Sequence, residues 1–96
     1  MKVASITTPL LAAAALAEKH HRCNCCVGGK IYEDYNRVAC EDWSVMFPNS
    51  HWDDSIKACV DPGTFRGIDW NRWSRQCRKI GVDKYHYPYI DIHACC

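Results

Sequence analysis

The chain has 96 residues, with 12 Lys and Arg against 11 Asp and Glu and eight cysteines. A charge so nearly balanced argues against a nucleic-acid binder or a cationic membrane-lytic peptide, which need a clear excess of base. So many cysteines in so short a chain point to a disulfide scaffold, since a small domain buries too little surface to rely on its core alone.

The first residues carry the zones of a secretory signal. Lys2 supplies the positive charge, residues 10–16 are apolar, and Ala15-Leu16-Ala17 places small side chains at the peptidase positions before charged Glu18-Lys19. The apolar stretch is interrupted by Thr7, Thr8 and Pro9 and is shorter than the roughly 20 residues of a membrane span. The expectation is a signal peptide over residues 1–17 and one secreted domain over residues 18–96, with no membrane span. That domain has 79 residues and 11 basic against 11 acidic side chains.

Cleavage after Ala17 would expose Glu18-Lys19-His20, a free amine with His in third position. Such a terminus can wrap four nitrogens around Cu(II) or Ni(II) in a square plane. The pattern is common by chance and is not read as the function. His20-His21 beside Cys23 and Cys25-Cys26 reads as a polar lead into a strand whose thiols are oxidised. The cysteines lack the paired C-x-x-C spacing of zinc ribbons, so no metal or other cofactor is expected.

Residues 23–27 read as a short strand ended by Gly28-Gly29. Residues 32–43 follow as a helix, with Tyr32, Tyr35, Val38, Ala39 and Trp43 on one face and Glu33, Asp34, Arg37 and Glu41 on the other. Cys40 sits at the border of the apolar face. Residues 45–47 read as a strand stopped by Pro48-Asn49. A further strand runs over 56–60, where Ile56, Ala58 and Val60 alternate with Lys57 and Cys59 before the turn Asp61-Pro62-Gly63.

The sharpest element is a helix over 69–80, capped by Asp69 and stopped by Gly81. Trp70, Trp73, Cys77 and Ile80 make an apolar stripe; Arg72, Arg75 and Lys79 gather opposite, with Arg78 at the flank. Tyr85, Tyr87, Tyr89, Ile90 and Ile92 then read as a C-terminal strand, with Pro88 suggesting an edge. This order predicts an α+β fold: a small disulfide-rich sandwich with two helices packed on one face of a short antiparallel sheet.

Cys23, Cys25, Cys26, Cys40, Cys59, Cys77, Cys95 and Cys96 are expected to form four disulfides. Side-chain alternation gives the members of Cys25-Cys26 and of Cys95-Cys96 different partners, and Cys77 should reach a cysteine facing the helices. Eight cysteines allow 105 pairings, and spacing does not select one.

The leader, the short mature chain, the C-x-C-C opening, one cysteine in each helix and terminal Cys95-Cys96 together resemble the small secreted cysteine-rich proteins of filamentous ascomycete fungi, many of them effectors. The element order is also similar to the killer-toxin-like α/β fold found among such proteins. The resemblance implies a secreted, non-enzymatic protein that acts by binding a host or competitor molecule; it carries no functional residues across.

The expected function is therefore that of an effector-type protein, monomeric, binding a host protein or surface ligand. The alternative is a killer-toxin-like or antimicrobial protein acting on competing cells, and the third reading is a small secreted hydrolase such as a ribonuclease. Glu33, His51, His93, Arg66 and Arg75 supply the residue types of that third chemistry, yet no local motif ties them together, and no catalytic residue is assigned. Arg72, Arg75 and Lys79 are the candidate partner-binding residues, because charge is segregated: the first helix is mostly acidic and the second basic.

Overall fold

A computed structural model describes residues 19–63 and 66–96. The expected signal peptide and Glu18 lie outside the described residues. Strands β1 (Lys19–His20) and β2 (Arg22–Val27) precede helix α1 (Glu33–Met46). Then come β3 (His51–Asp53), β4 (Ala58–Val60), β5 (Ile68–Asp69), helix α2 (Trp70–Asp83), a 3-10 turn (Tyr89–Asp91) and β6 (Ile92–Cys95). The main sheet is antiparallel in the order β3-β4-β2-β6, and β1 pairs with β5 in a separate two-stranded ladder.

The disulfides show how the layers meet. Cys23 and Cys25 lie two apart on β2 and share a face, and Cys59 stands opposite Cys23 in the register. From that face Cys25 bonds Cys77 of α2 and Cys59 bonds Cys40 of α1. Both helices therefore cover the same side of the sheet, and the structure is the α+β disulfide-rich fold expected. Cys26 points the other way and bonds Cys95 diagonally across β2 and β6, while Cys96 returns to Cys23. Each cysteine doublet is split between partners, as strand alternation requires.

The two helices run antiparallel. Tyr35 Oη donates to the Cys77 carbonyl at 2.5 Å, Gln76 Nε2 donates to the Ala39 carbonyl at 3.0 Å, and the Trp43 and Trp73 rings meet edge-on at 5.3 Å. Among the described residues, Trp73, Tyr35, Ile68 and Ile92 are the largest side chains fully withdrawn from solvent. Trp73 Nε1 also donates to the Asn24 carbonyl at 3.0 Å, tying α2 to β2.

Asn36 solves a local problem of the sheet. Strand β4 reaches only as far as Cys23 along β2, so Cys25 has no strand neighbour on that side. The fully buried Asn36 side chain takes its place. Its Oδ1 accepts from Cys25 N, and its Nδ2 donates to the Cys25 and Tyr32 carbonyls at 3.0 and 2.9 Å.

Four local expectations are corrected. Residues 45–47 are not a strand: helix α1 continues to Met46 and is capped by Phe47, because the residue Pro48 keeps out of the helical region is Phe47, directly before it. The strand there is instead β3, at His51–Asp53. Residues 85–91 form a turn and a 3-10 segment, since Tyr85 and Tyr87 are drawn onto Tyr35 at 5.2 Å each and His86 takes a positive φ of 58°. Gly81 does not stop α2, which runs on to Asp83. Trp70 does not face the core: it is 37% exposed and lies against the His20 ring at 5.6 Å. Asp69 does cap α2, accepting from Arg72 N at 2.9 Å.

Candidate functional site

The C-terminal end of α1 and the outer side of α2 enclose a groove of about 480 Å³. Its floor comes from α1. Trp43, Met46 and Phe47 follow Tyr35 and Ala39 at helical spacing, so the apolar stripe of α1 outlasts its packed length and its last turn is left beside solvent. Phe47, turned out of the helix at the cap, stacks on Trp43 at 4.3 Å. Met46 is 78% exposed.

Trp43 is held from beneath. Its Nε1 donates to Ser50 Oγ at 3.1 Å, and Ser50 Oγ donates to Asp61 Oδ2 at 3.2 Å. The floor is therefore anchored by a buried polar chain that fixes the indole plane.

The wall comes from α2. Arg72, Arg75 and Lys79 follow one another along one side of the helix because Trp73 and Cys77 occupy the other. The structure places all three together on this groove, beside an apolar surface that the sequence reading left out. A second hollow, of about 180 Å³, continues the groove past Arg72, sharing Trp43 and Phe47 and ending at Lys19, Gly67 and Asp69.

Charge in these hollows is uneven. Asp42 is already engaged by Gln76 Nε2 at 2.8 Å and by Lys79 Nζ at 3.7 Å, and Asp69 caps α2. Among the described residues, Arg72, Arg75 and Lys19 form no ion pair. The result is an apolar floor beside more cations than acids, with Arg72 and Arg75 in no ion pair among the described residues, suited to a ligand that is both anionic and partly apolar.

A third hollow lies among four tyrosines. Tyr32, Tyr35, Tyr85 and Tyr87 line it with Ile31, Glu33 and Asp34. Burial, then the neighbouring Tyr87 and Tyr85 phenols, push the Tyr35 hydroxyl well above its usual range; burial first also raises Tyr87. Glu33 and Asp34 both pair with Arg37, and Glu33 with Lys57 as well. The rings stack mainly on one another, as Tyr85 on Tyr87 at 5.7 Å and Tyr32 on Tyr87 at 5.7 Å. This cluster reads as packing of the 85–87 turn against α1.

The hydrolase residue types are not brought together. His51 lies on β3 and His93 on β6, at opposite edges of the sheet, and their registers fall four residues apart on β2, at Arg22 and Cys26; three strand spacings of about 4.8 Å and four residues of about 3.3 Å put their backbones roughly 20 Å apart. Glu33 starts α1 beside the tyrosines and Arg75 lies in the helix groove. Arg66 is exposed in the connection before β5.

Of the copper arrangement, Lys19 and His20 form β1, paired with Asp69 and Ile68. Wrapping a metal with their backbone nitrogens would compete with that ladder and with the His20–Trp70 contact. Among the described residues, no group of three or more His, Cys, Asp or Glu is placed to hold a metal ion. No helix among them is long and apolar enough to cross a membrane. In comparisons with known proteins, no family model, curated protein or solved structure matches this chain.

Sequence reasoning placed Arg72, Arg75 and Lys79 but missed Met46 and Phe47, having assigned them to a strand. The signal was present: continuing the helical count from Ala39 and Trp43 reaches Phe47 at the next i+4 step.

Proposed function

We propose that this is a secreted, effector-type protein that acts by binding a host molecule, without catalysis, through the groove between α1 and α2. The observation that carries the reading is the pair of arginines, Arg72 and Arg75, exposed and in no ion pair among the described residues, beside the Trp43–Phe47 floor. Solvated basic helix faces are ordinary; a basic row bordering an aromatic floor is what a contact surface needs, because apolar area supplies affinity and cations supply orientation. Secretion is supported by the leader-like residues 1–17 and agrees with four disulfides in so small a protein, which are compatible with an extracellular location.

The test is affinity capture from host tissue with the oxidised protein and with the triple variant Arg72→Ser, Arg75→Ser, Lys79→Ser, after confirming that both share one thermal midpoint. Capture of a host molecule by the original and its loss in the variant is the expected result. Equal capture by both removes the groove from the function. Growth inhibition of fungi or bacteria without host capture would instead support the antimicrobial alternative, and hydrolysis of RNA or cell-wall polymers the enzymatic one.

A further inference from the structure

The groove has a shape and a charge spacing that narrow its occupant. It lies between two antiparallel helices, α1 supplying the floor and α2 the wall, so a segment filling it would run along both axes, the position a third helix takes when helices pack side by side. Arg72, Arg75 and Lys79 are spaced i, i+3 and i+7, and at about 1.5 Å per residue they span roughly 10 Å in steps of about 4.5 and 6 Å. Carboxylates on one face of a helix recur with the same steps. An extended segment repeats its side chains on one face every ~6.7 Å and matches that row less well.

The floor adds a second requirement. Met46, on the groove itself, is 78% exposed, an apolar surface beside the basic row. Asp42 and Asp69, the acids of the two hollows, are already bound within the chain, so a carboxylate entering here meets net positive charge.

We propose that the groove receives an acidic amphipathic helix of the partner protein, which lays an apolar side chain on Met46 and Phe47 and presents carboxylates to Arg72, Arg75 and Lys79. This rests on the groove being the contact surface. Lys79 turns from Asp42 toward the incoming carboxylate, and Gln76 keeps Asp42 satisfied.

The probe is a synthetic helical peptide of about 18 residues, long enough to be helical alone. It carries Glu at i, i+3 and i+7 with Leu on the adjoining positions, and its binding to the oxidised protein is followed by Trp fluorescence and by amide shifts. The expected result is saturable binding, with shifts concentrated at residues 42–47 and 72–79. Binding should weaken at least tenfold in Arg72→Ser/Arg75→Ser, severalfold in Met46→Ser, and markedly as salt rises from about 20 to 200 mM. A peptide with Gln for Glu, and one with Ser for Leu, should each bind more weakly.

Equal binding of the Gln peptide, displacement by millimolar inorganic phosphate alone, or no binding at about 1 mM would each overturn the proposal. Its failure separates from that of the functional reading. If the peptide fails while the triple variant still loses host capture, the groove is used but by another kind of ligand. If the peptide binds as described while capture is unchanged in the triple variant, the groove chemistry stands and the function lies elsewhere.

Discussion

Replacing Gly81 by Ala sets two opposed effects against each other, and the structure decides the sign. Gly81 lies inside α2, where Ala is favoured over Gly by about 1 kcal/mol. A Cβ at this position, however, would stand 2.7 Å from Ile92 Cδ1 and 2.8 Å from the Tyr35 hydroxyl oxygen. Neither neighbour yields easily. Both side chains are fully buried, and Tyr35 is tied by its hydroxyl to the Cys77 carbonyl and flanked by Tyr85 and Tyr87. Overpacking of this kind typically costs about 1–3 kcal/mol, so Gly81→Ala is expected to destabilise by roughly 1 kcal/mol net. For a domain of this size that lowers the thermal midpoint by about 4–8 °C, measured by circular dichroism on the oxidised protein. Ile92→Val removes the Cδ1 atom, so Gly81→Ala should cost less in that background, with a coupling of about 0.5 kcal/mol or more. A midpoint that rises in Gly81→Ala, or strict additivity of the two changes, would refute the reasoning.

Asn36→Ala leaves the N–H and C=O of Cys25 unpaired inside the protein, at about 1–3 kcal/mol for each group. A loss of roughly 3–5 kcal/mol is expected by denaturant titration, and a loss under 1 kcal/mol would show that the amide does not complete the sheet. Tyr35 gives a pH dependence. Its folded pKa lies above the unfolded value near 10, so below pH ~10 both states keep the proton and above it only the unfolded chain ionises; stability should fall as pH rises, by up to about 1.4 kcal/mol per pH unit. Tyr35→Phe should flatten that decline between about pH 10 and 11, and parallel profiles would contradict the assignment. Removing the Cys40–Cys59 bridge, a separation of 19 residues, with Cys40→Ala/Cys59→Ala should cost about 3 kcal/mol on the chain-entropy account. An unchanged midpoint would place the stabilising constraint elsewhere.

Much of the architecture was legible because period and punctuation agreed. Both helices, the Asp69 cap and the strand ended by Gly28-Gly29 follow from local pattern, and the split partners of the cysteine doublets follow from strand alternation. What misled were residues whose local preference is overridden at a distance. Gly81 carries the mark of a helix stop but is small because Ile92 and Tyr35 close over it. Tyr85 and Tyr87 alternate as a strand would, yet their rings are claimed by Tyr35. Trp70 keeps helical phase with Trp73 but lies in the first turn, beyond the edge of the packed core. Asn36 gave no sign in one dimension, because the vacancy it fills opens only when β4 stops short. For the groove, the basic row was visible in the helical count, whereas the aromatic floor required knowing that α1 continues through Met46.

The bridge pattern also bears on how such a chain matures. Cys40 and Cys59 are neighbours in order of synthesis, but Cys23 and Cys26 must wait for Cys96 and Cys95, separations of 73 and 69 residues. At ~5–20 residues per second that interval is roughly 4–15 s. In a chain that enters an oxidising compartment N-terminus first, Cys23, Cys25 and Cys26 meet Cys40 and Cys59 before their own partners, Cys96, Cys77 and Cys95, arrive. The thiols that arrive first are thus the ones most open to wrong pairing, and Cys95-Cys96 brings the attacking thiols that can release them by exchange. Loss of those two residues would therefore impair the yield of correctly paired protein through kinetics, over and above any loss of stability.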